Sequence, residues 1–196
     1  ERRYAAELDD DAREFIGYAV EAAGRMRSLI DDLLTYSRLG REPIGEDIVD
    51  LTVAANTAAE KYTDEIASLG ARLEISDLPE VKGAQRLLTG VFEHLIANAL
   101  KFRAEAPLVI QISAEANGAM WNVRVKDNGI GVASDQADRI FQIFQRLHTR
   151  SEYAGNGIGL TLVRRILEMH GGEINMSNCA DGGVEFILSF PGIDLS

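Results

Sequence analysis

The chain has 196 residues, 46% hydrophobic and 26% charged, an ordinary globular balance with room for one good core and a small extra element. A formal net charge of −11 argues against a nucleic-acid binder, which needs a basic face to neutralise phosphates. One cysteine, Cys179, excludes an intramolecular disulfide and a multi-cysteine metal site and fits a reducing, cytoplasmic setting, while no apolar run approaches the ~18 residues of a membrane span. The chain opens at Glu1, without methionine and in mid-pattern, and is expected to be a piece of something longer.

Up to Gly40 the pattern is that of one long helix. Leu8, Ala12, Phe15, Ala19, Ala22, Met26, Leu29, Leu33 and Tyr36 follow one another as a heptad seam, which Ile16, Ala23 and Ile30 widen on one flank. Asp9 to Asp11 sit where carboxylates favour the helix dipole, and Gly40 supplies an end. A lone helix cannot bury such a stripe, so it needs a neighbouring helix or a second copy of the chain. "GREPIGED" is a polar joint. Beyond it we expect a short strand over 47–51, a helix over 52–69, a strand over 71–76, and a strand or turn over 79–83. A helix over 84–103 follows, with Leu87, Leu88, Val91, Leu95, Ala99 and Phe102 on its apolar side. Two alternating runs, "LVIQISAEA" and "MWNVRVKD", form a hairpin around "NGA". "GLTLVRRILEMH" is a helix, and "GEINMSN" and "GVEFILSF" close the chain as a hairpin joined by "CADG". Strands and helices do not alternate strictly, which predicts an α+β sandwich with a mixed sheet.

Three segments carry possible chemistry. In "HLIANALKF", Asn98 interrupts an apolar helical stretch, with His94 four residues before and Lys101 three after, all on one side of the helix. They read either as the polar edge of a packed helix or as an amide that holds Mg²⁺ with a lysine near phosphates. In "VKDNGIGV", Asp127 ends a strand and is followed by Gly129 and Gly131. That is a turn, or a place where a ligand meets bare backbone and an exocyclic amine donates to the carboxylate. In "AGNGIGLTL", Gly155, Gly157 and Gly159 open a helix whose N-terminus suits polyphosphate. The spacing fits neither a Walker loop nor a dinucleotide fingerprint. Between the last two lie Phe141 and Phe144, then Arg146, His148 and Arg150.

In this order the segments resemble the ATP-binding domain of sensor histidine kinases, part of the gyrase–Hsp90–kinase–MutL superfamily. "NALKFR", "IFQRLHTRSEYAGNGIGL" and "MHGGEI" look most like phytochrome-type kinases. The resemblance covers Asp47 to Pro191 and extends to the first helix, which is similar to the second helix of the dimerisation and histidine-phosphotransfer domain. It implies residues 1–41 as part of that domain and 45–192 as the catalytic domain. The implied catalytic fold is a two-layer α/β sandwich with three helices on one face of a mixed sheet. It further implies that Asn98 binds Mg²⁺, Lys101 contacts phosphate, and His94 orients a water or a proton acceptor. Asp127 would take the adenine amine, and Gly129 and Gly131 would shape its pocket. Gly155, Gly157, Gly159 and Leu160 would close a lid over ATP, anchored by Phe141 and Phe144, with Arg146, His148 and Arg150 as phosphate contacts. Implied partners are ATP, a second copy of the parent through the helical bundle, and a response-regulator receiver domain, with no nucleic acid and no direct membrane contact.

Two departures stand out. His94 replaces the asparagine common in many such kinases, while its neighbour Glu93 points about 100° away and is a poor substitute base. The family's acceptor histidine is followed by an acidic residue and proline, and none of His94, His148 and His170 has that context. The piece is therefore expected to bind Mg-ATP without phosphorylating itself, and His170 is read as structural. Asn156 stands where the family has threonine or serine and is expected to retune the lid. The alternatives are a superfamily ATPase and a degenerate kinase serving as a scaffold.

Overall fold

The computed structural model describes residues 9–39, 45, 47–133, 136–137, 139–142, 145 and 157–193. Helix α1, Asp10–Leu39, stands largely in solvent. Asp9 caps it, its Oδ1 accepting from Ala12 N–H at 2.7 Å. Several described residues of the predicted seam are exposed, with Phe15 at 72%, Met26 at 58% and Leu33 at 48% of full accessibility. The C-terminal end of α1 meets the rest of the protein. There Leu39 is buried and Tyr36 packs against the main core, next to α5, Gly159–Met169.

The remainder is a two-layer α+β sandwich. Five strands, β2 (Arg72–Ile75), β4 (Val109–Asn117), β5 (Met120–Asp127), β6 (Glu173–Asn178) and β7 (Val184–Pro191), lie in the order β2-β4-β5-β7-β6. β2 and β4 run parallel and the other pairs antiparallel, so the sheet is mixed as expected. Period-two alternation sends Ile110, Ile112, Val123, Val125, Phe186 and Leu188 to one face, where all are buried. On the other face Arg124 pairs with Glu115 and, at 2.9 Å, with Glu185. The helical layer is α2 (Leu51–Glu60), α4 (Gln85–Lys101) and α5. Helix α4 is its centre: Leu88, Val91, Phe92, Leu95 and Ile96 are at most 1% exposed.

One expectation needs correction. The helix expected over 52–69 is broken into α2 and a short α3, Thr63–Ser68, by a turn at Lys61 and Tyr62. Asp50 fixes its start by accepting from Thr52 and Val53 N–H. The break places Lys61 against Glu93 of α4 at 2.5 Å and turns Tyr62 onto the core, a tertiary preference that local spacing does not encode. The strands at Ile48–Asp50 (β1) and Glu80–Lys82 (β3) form a separate antiparallel pair outside the main sheet. No described helix is long and apolar enough to cross a membrane.

Candidate functional site

Helix α4 presents three successive turns of one side to the other two motifs. A Cβ on Gly159, the first residue of α5, would stand 3.2 Å from His94 Nδ1, so the absence of a side chain lets α5 begin against His94. One turn further along is Asn98, half-buried, whose carbonyl accepts from Phe102 N–H. One turn beyond that, the Phe102 carbonyl accepts from Ile130 N–H at 3.0 Å, and a Cβ on Gly129 would come within 2.4 Å of it. Asn98 thus lies between the N-terminus of α5 and the glycine turn after β5. Lys101 stands over the Phe102 ring at 4.5 Å, at the same end of the helix. Glu93, by contrast, faces Lys61, as its helical angle requires.

Asp127 is 8% exposed, at the end of β5. Its Oδ1 accepts from Gly129 N–H at 2.8 Å and Val184 N–H at 3.4 Å. Oδ2 has no bonding partner among the described residues, and no buried polar side-chain atom among them is left unsatisfied. Burial raises the pKa of this carboxyl above its ordinary 3.8, and the two backbone donors oppose that rise. The result is a buried carboxyl group with one oxygen fixed by backbone and the other open to a donor. Two glycines permit it. A Cβ on Gly183 would fall 2.0 Å from the Asp127 carbonyl oxygen, and Gly131 has φ +76°. Asn128 secures the turn from outside, its Oδ1 accepting from Val109 N–H and its Nδ2 donating to Pro107 O.

The third motif arrives through α5. Among the described residues no side chain caps its N-terminus, where the first-turn N–H groups have no partner within the helix. Phe141 is buried in a single 3₁₀ turn, Arg139–Phe141. Its carbonyl accepts from Thr161 Oγ1 at 3.1 Å, and its ring lies 4.8 Å from the Arg164 guanidinium. Phe141 is therefore tied to the helix that Gly159 and Leu160 begin. Gly157 adopts φ +71° just before it. Phe144, Arg146, His148, Arg150, Gly155 and Asn156 lie outside the described residues.

His170 belongs to the frame of the site. Its Nδ1 is 2.7 Å from the Ile166 carbonyl and its Nε2 accepts from Ala84 N–H at 3.2 Å, which fixes a neutral ring protonated on Nδ1. Gly83 makes room for it. The structural reading holds, but the C-terminal cation that the helix dipole would favour is absent, because burial lowers the imidazole pKa below its ordinary 6.5. The ring pins the end of α5 to the start of α4.

A family model described as "Histidine kinase-, DNA gyrase B-, and HSP90-like ATPase" matches residues 83–193. The chain belongs to this family. Cyanobacterial phytochrome A of Nostoc sp. is 41% identical over 97% of the chain and 25% of its own length. Phytochrome-like protein Cph1 of Synechocystis sp. is 38% identical over 97% and 26%, so the chain spans about a quarter of either relative. Sensor protein kinase WalK of Staphylococcus haemolyticus is 29% identical over 93% of the chain and 31% of its own length. Among solved structures, full-length ShkA in complex with AMPPNP superposes with a TM-score of 0.70 at 26% identity, covering 94% of this chain and 39% of that one. The sandwich is a histidine kinase catalytic domain of the sensor-kinase type. Thr161, Arg164, Asn128, Asn178 and Gly183 hold the segments around these motifs in place, and sequence reading missed them. Each acts on a segment remote in the chain: Thr161 and Arg164 on Phe141, Asn128 on Val109 and Pro107, Asn178 on Val132, and Gly183 on Asp127.

Proposed function

We propose that the chain binds Mg-ATP and presents its γ-phosphoryl group to a histidine of the parent kinase that lies outside this sequence. One observation carries this reading: α4 places Asn98 between His94, packed on Gly159, and Phe102, packed on Gly129. Asp127 Oδ2 accepts from the adenine amine, while Gly129 and Gly131 admit the ring against bare backbone. Gly155, Gly157, Gly159 and Leu160 lead the α5 N-terminus to the phosphates, with Phe141 and Phe144 as anchors and Arg146, His148 and Arg150 as further phosphate contacts. Lys101 reaches phosphate from α4, and His94 orients a water or the incoming acceptor. No group of three or more His, Cys, Asp or Glu that could hold a metal occurs among the described residues. A single amide oxygen from Asn98 fits a Mg²⁺ that takes most of its ligands from phosphate and water. When bound, the ion offsets charge on the phosphoryl oxygens.

The acceptor is another group. His170 is buried with both ring nitrogens engaged, and His94 is packed against α5. Residues 1–41 then belong to a dimerisation helix and 45–192 to the catalytic domain. The parent acts as a cytoplasmic homodimer and passes its phosphoryl group to a receiver-domain aspartate. Glu93 is engaged by Lys61, which argues against a water-activating carboxylate beside Asn98 and hence against a simple ATPase. Labelled Mg-ATP incubated with this chain should bind and leave no acid-labile phosphate on it. Addition of a parent fragment that contains the acceptor helix should label that fragment. Absence of ATP binding at millimolar concentration would overturn the reading.

A further inference from the structure

The backbone after Asp127 is held from two sides. On one side the Phe102 carbonyl accepts from Ile130 N–H and abuts Gly129. On the other stands Asn178, the last residue of β6. Its Oδ1 accepts from Val132 N–H at 2.9 Å and its Nδ2 donates to the Val132 carbonyl at 2.6 Å. A backbone N–H can only donate and a carbonyl only accept, so these partners also fix which way the amide points. The would-be Cβ of Gly131 lies 3.3 Å from the same Oδ1.

Asn178 opens the turn that ends at Gly183. The far end of this turn touches the carboxylate residue itself: Gly183 packs on the Asp127 carbonyl and Val184 N–H donates to Oδ1. One short turn therefore contacts Asp127 at one end and the Gly129–Val132 segment at the other. Residues 129 and 131 have no side chains with which to set their own spacing, and the Asn178 amide does so instead.

We propose that Asn178 is a positioning residue for the base of a bound nucleotide, holding the Gly129–Val132 backbone at the distance from Asp127 that admits a 6-amino purine. It acts through Val132 and does not touch the ligand. The proposal rests on the nucleotide reading above. It is tested by calorimetry with ADP and with IDP, whose base carries a carbonyl in place of the amine. The wild-type chain should prefer ADP. Asn178→Ala should weaken ADP about tenfold and leave IDP no more than about twofold weaker, so that discrimination narrows at least about fivefold, or about 1 kcal/mol. Equal weakening of both ligands would mean general loosening and would overturn the positioning role, as would no weakening of either. A wild-type chain that binds neither ligand would overturn the nucleotide reading itself, a result distinct from either. If Asn178→Ala does not fold, Asn178→Asp carries the same test. It keeps the acceptor for Val132 N–H, and its ionised carboxylate faces the Val132 carbonyl without a proton to donate.

Discussion

Helix α1 and the sandwich are built from similar proportions of apolar residues and treat them in opposite ways. In the sandwich, Phe92, Leu95, Leu188 and Phe190 are at most 1% exposed, and glycines stand where backbone segments nearly touch. In α1, Phe15, Met26, Ile30 and Leu33 are each at least 48% exposed, and Gly17 and Gly24 have nothing within 4 Å of a would-be Cβ. The sandwich is complete on its own terms. The described apolar face of the helix is largely uncovered, as the proposed pairing with another chain or another segment requires. A residue type therefore means different things in the two regions, and substitutions can expose the difference.

Glycine gives the largest contrast. Gly183→Ala puts a Cβ 2.0 Å from the Asp127 carbonyl at φ +82°, and should cost about 4 kcal/mol or more and abolish nucleotide binding. Gly24→Ala in α1 meets open space and should stabilise the helix by up to about 1 kcal/mol. Urea denaturation followed by Trp121 fluorescence measures the first, and far-ultraviolet circular dichroism the second. Equal effects would erase the distinction between the two regions.

Leucine comes next. Leu95→Ala should cost about 3 kcal/mol through lost burial and a cavity. Leu33→Ala, at 48% exposure, should cost the monomer less than about 1 kcal/mol. Charge on the seam should act on association instead. Ile30→Lys with Leu33→Glu should lower the mass seen by light scattering at high concentration, if self-association through this face occurs as expected. A strictly monomeric wild-type chain would remove the homotypic partner and leave only a heterotypic one.

Asp127 separates stability from function within the sandwich. Its raised pKa means that the ionised carboxylate is disfavoured by folding, so its cost to stability is felt at neutral pH and relieved as pH falls through the raised pKa. Asp127→Asn keeps an acceptor for Gly129 and Val184 and carries no charge. The unliganded protein should gain about 1 kcal/mol, while ADP affinity falls by at least about tenfold, because an ionised acceptor facing the amine is lost. The ADP affinity of the wild-type protein should weaken over the same acidic range.

Much of this was legible in the sequence where the signal is local. The spacing of Leu88, Val91, Leu95 and Ala99 predicts α4, and the alternation before Asp127 predicts both strands of the first hairpin. His94, Asn98 and Lys101 share a side of α4 because helical geometry dictates it. What was hidden is what arrives from elsewhere. Asn178 reaches Val132 across 46 positions, Val184 reaches Asp127 across 57, and Lys61 meets Glu93 across 32. The Lys61–Glu93 contact accompanies the break in the helix expected over 52–69. No periodicity within the segment records it.

The smallest effect sharpens how the helical layer is held together. His170 is neutral in the folded protein because burial lowers its pKa, whereas in the unfolded chain it titrates near its ordinary 6.5. As pH falls through about 6.5, the unfolded state takes up the proton first, so the stabilising contribution is complete above that value and is lost below it, towards the lowered folded pKa. Protonation would also turn Nε2 into a donor facing Ala84 N–H, a second donor, and so break the link between α4 and α5. His170→Gln offers an amide with one acceptor and one donor, and should flatten the pH dependence of the urea midpoint in this range. Helix α1 should be indifferent, because its described residues include no histidine. A slope retained in His170→Gln would assign the pH response to other titrating groups and reduce His170 to packing alone.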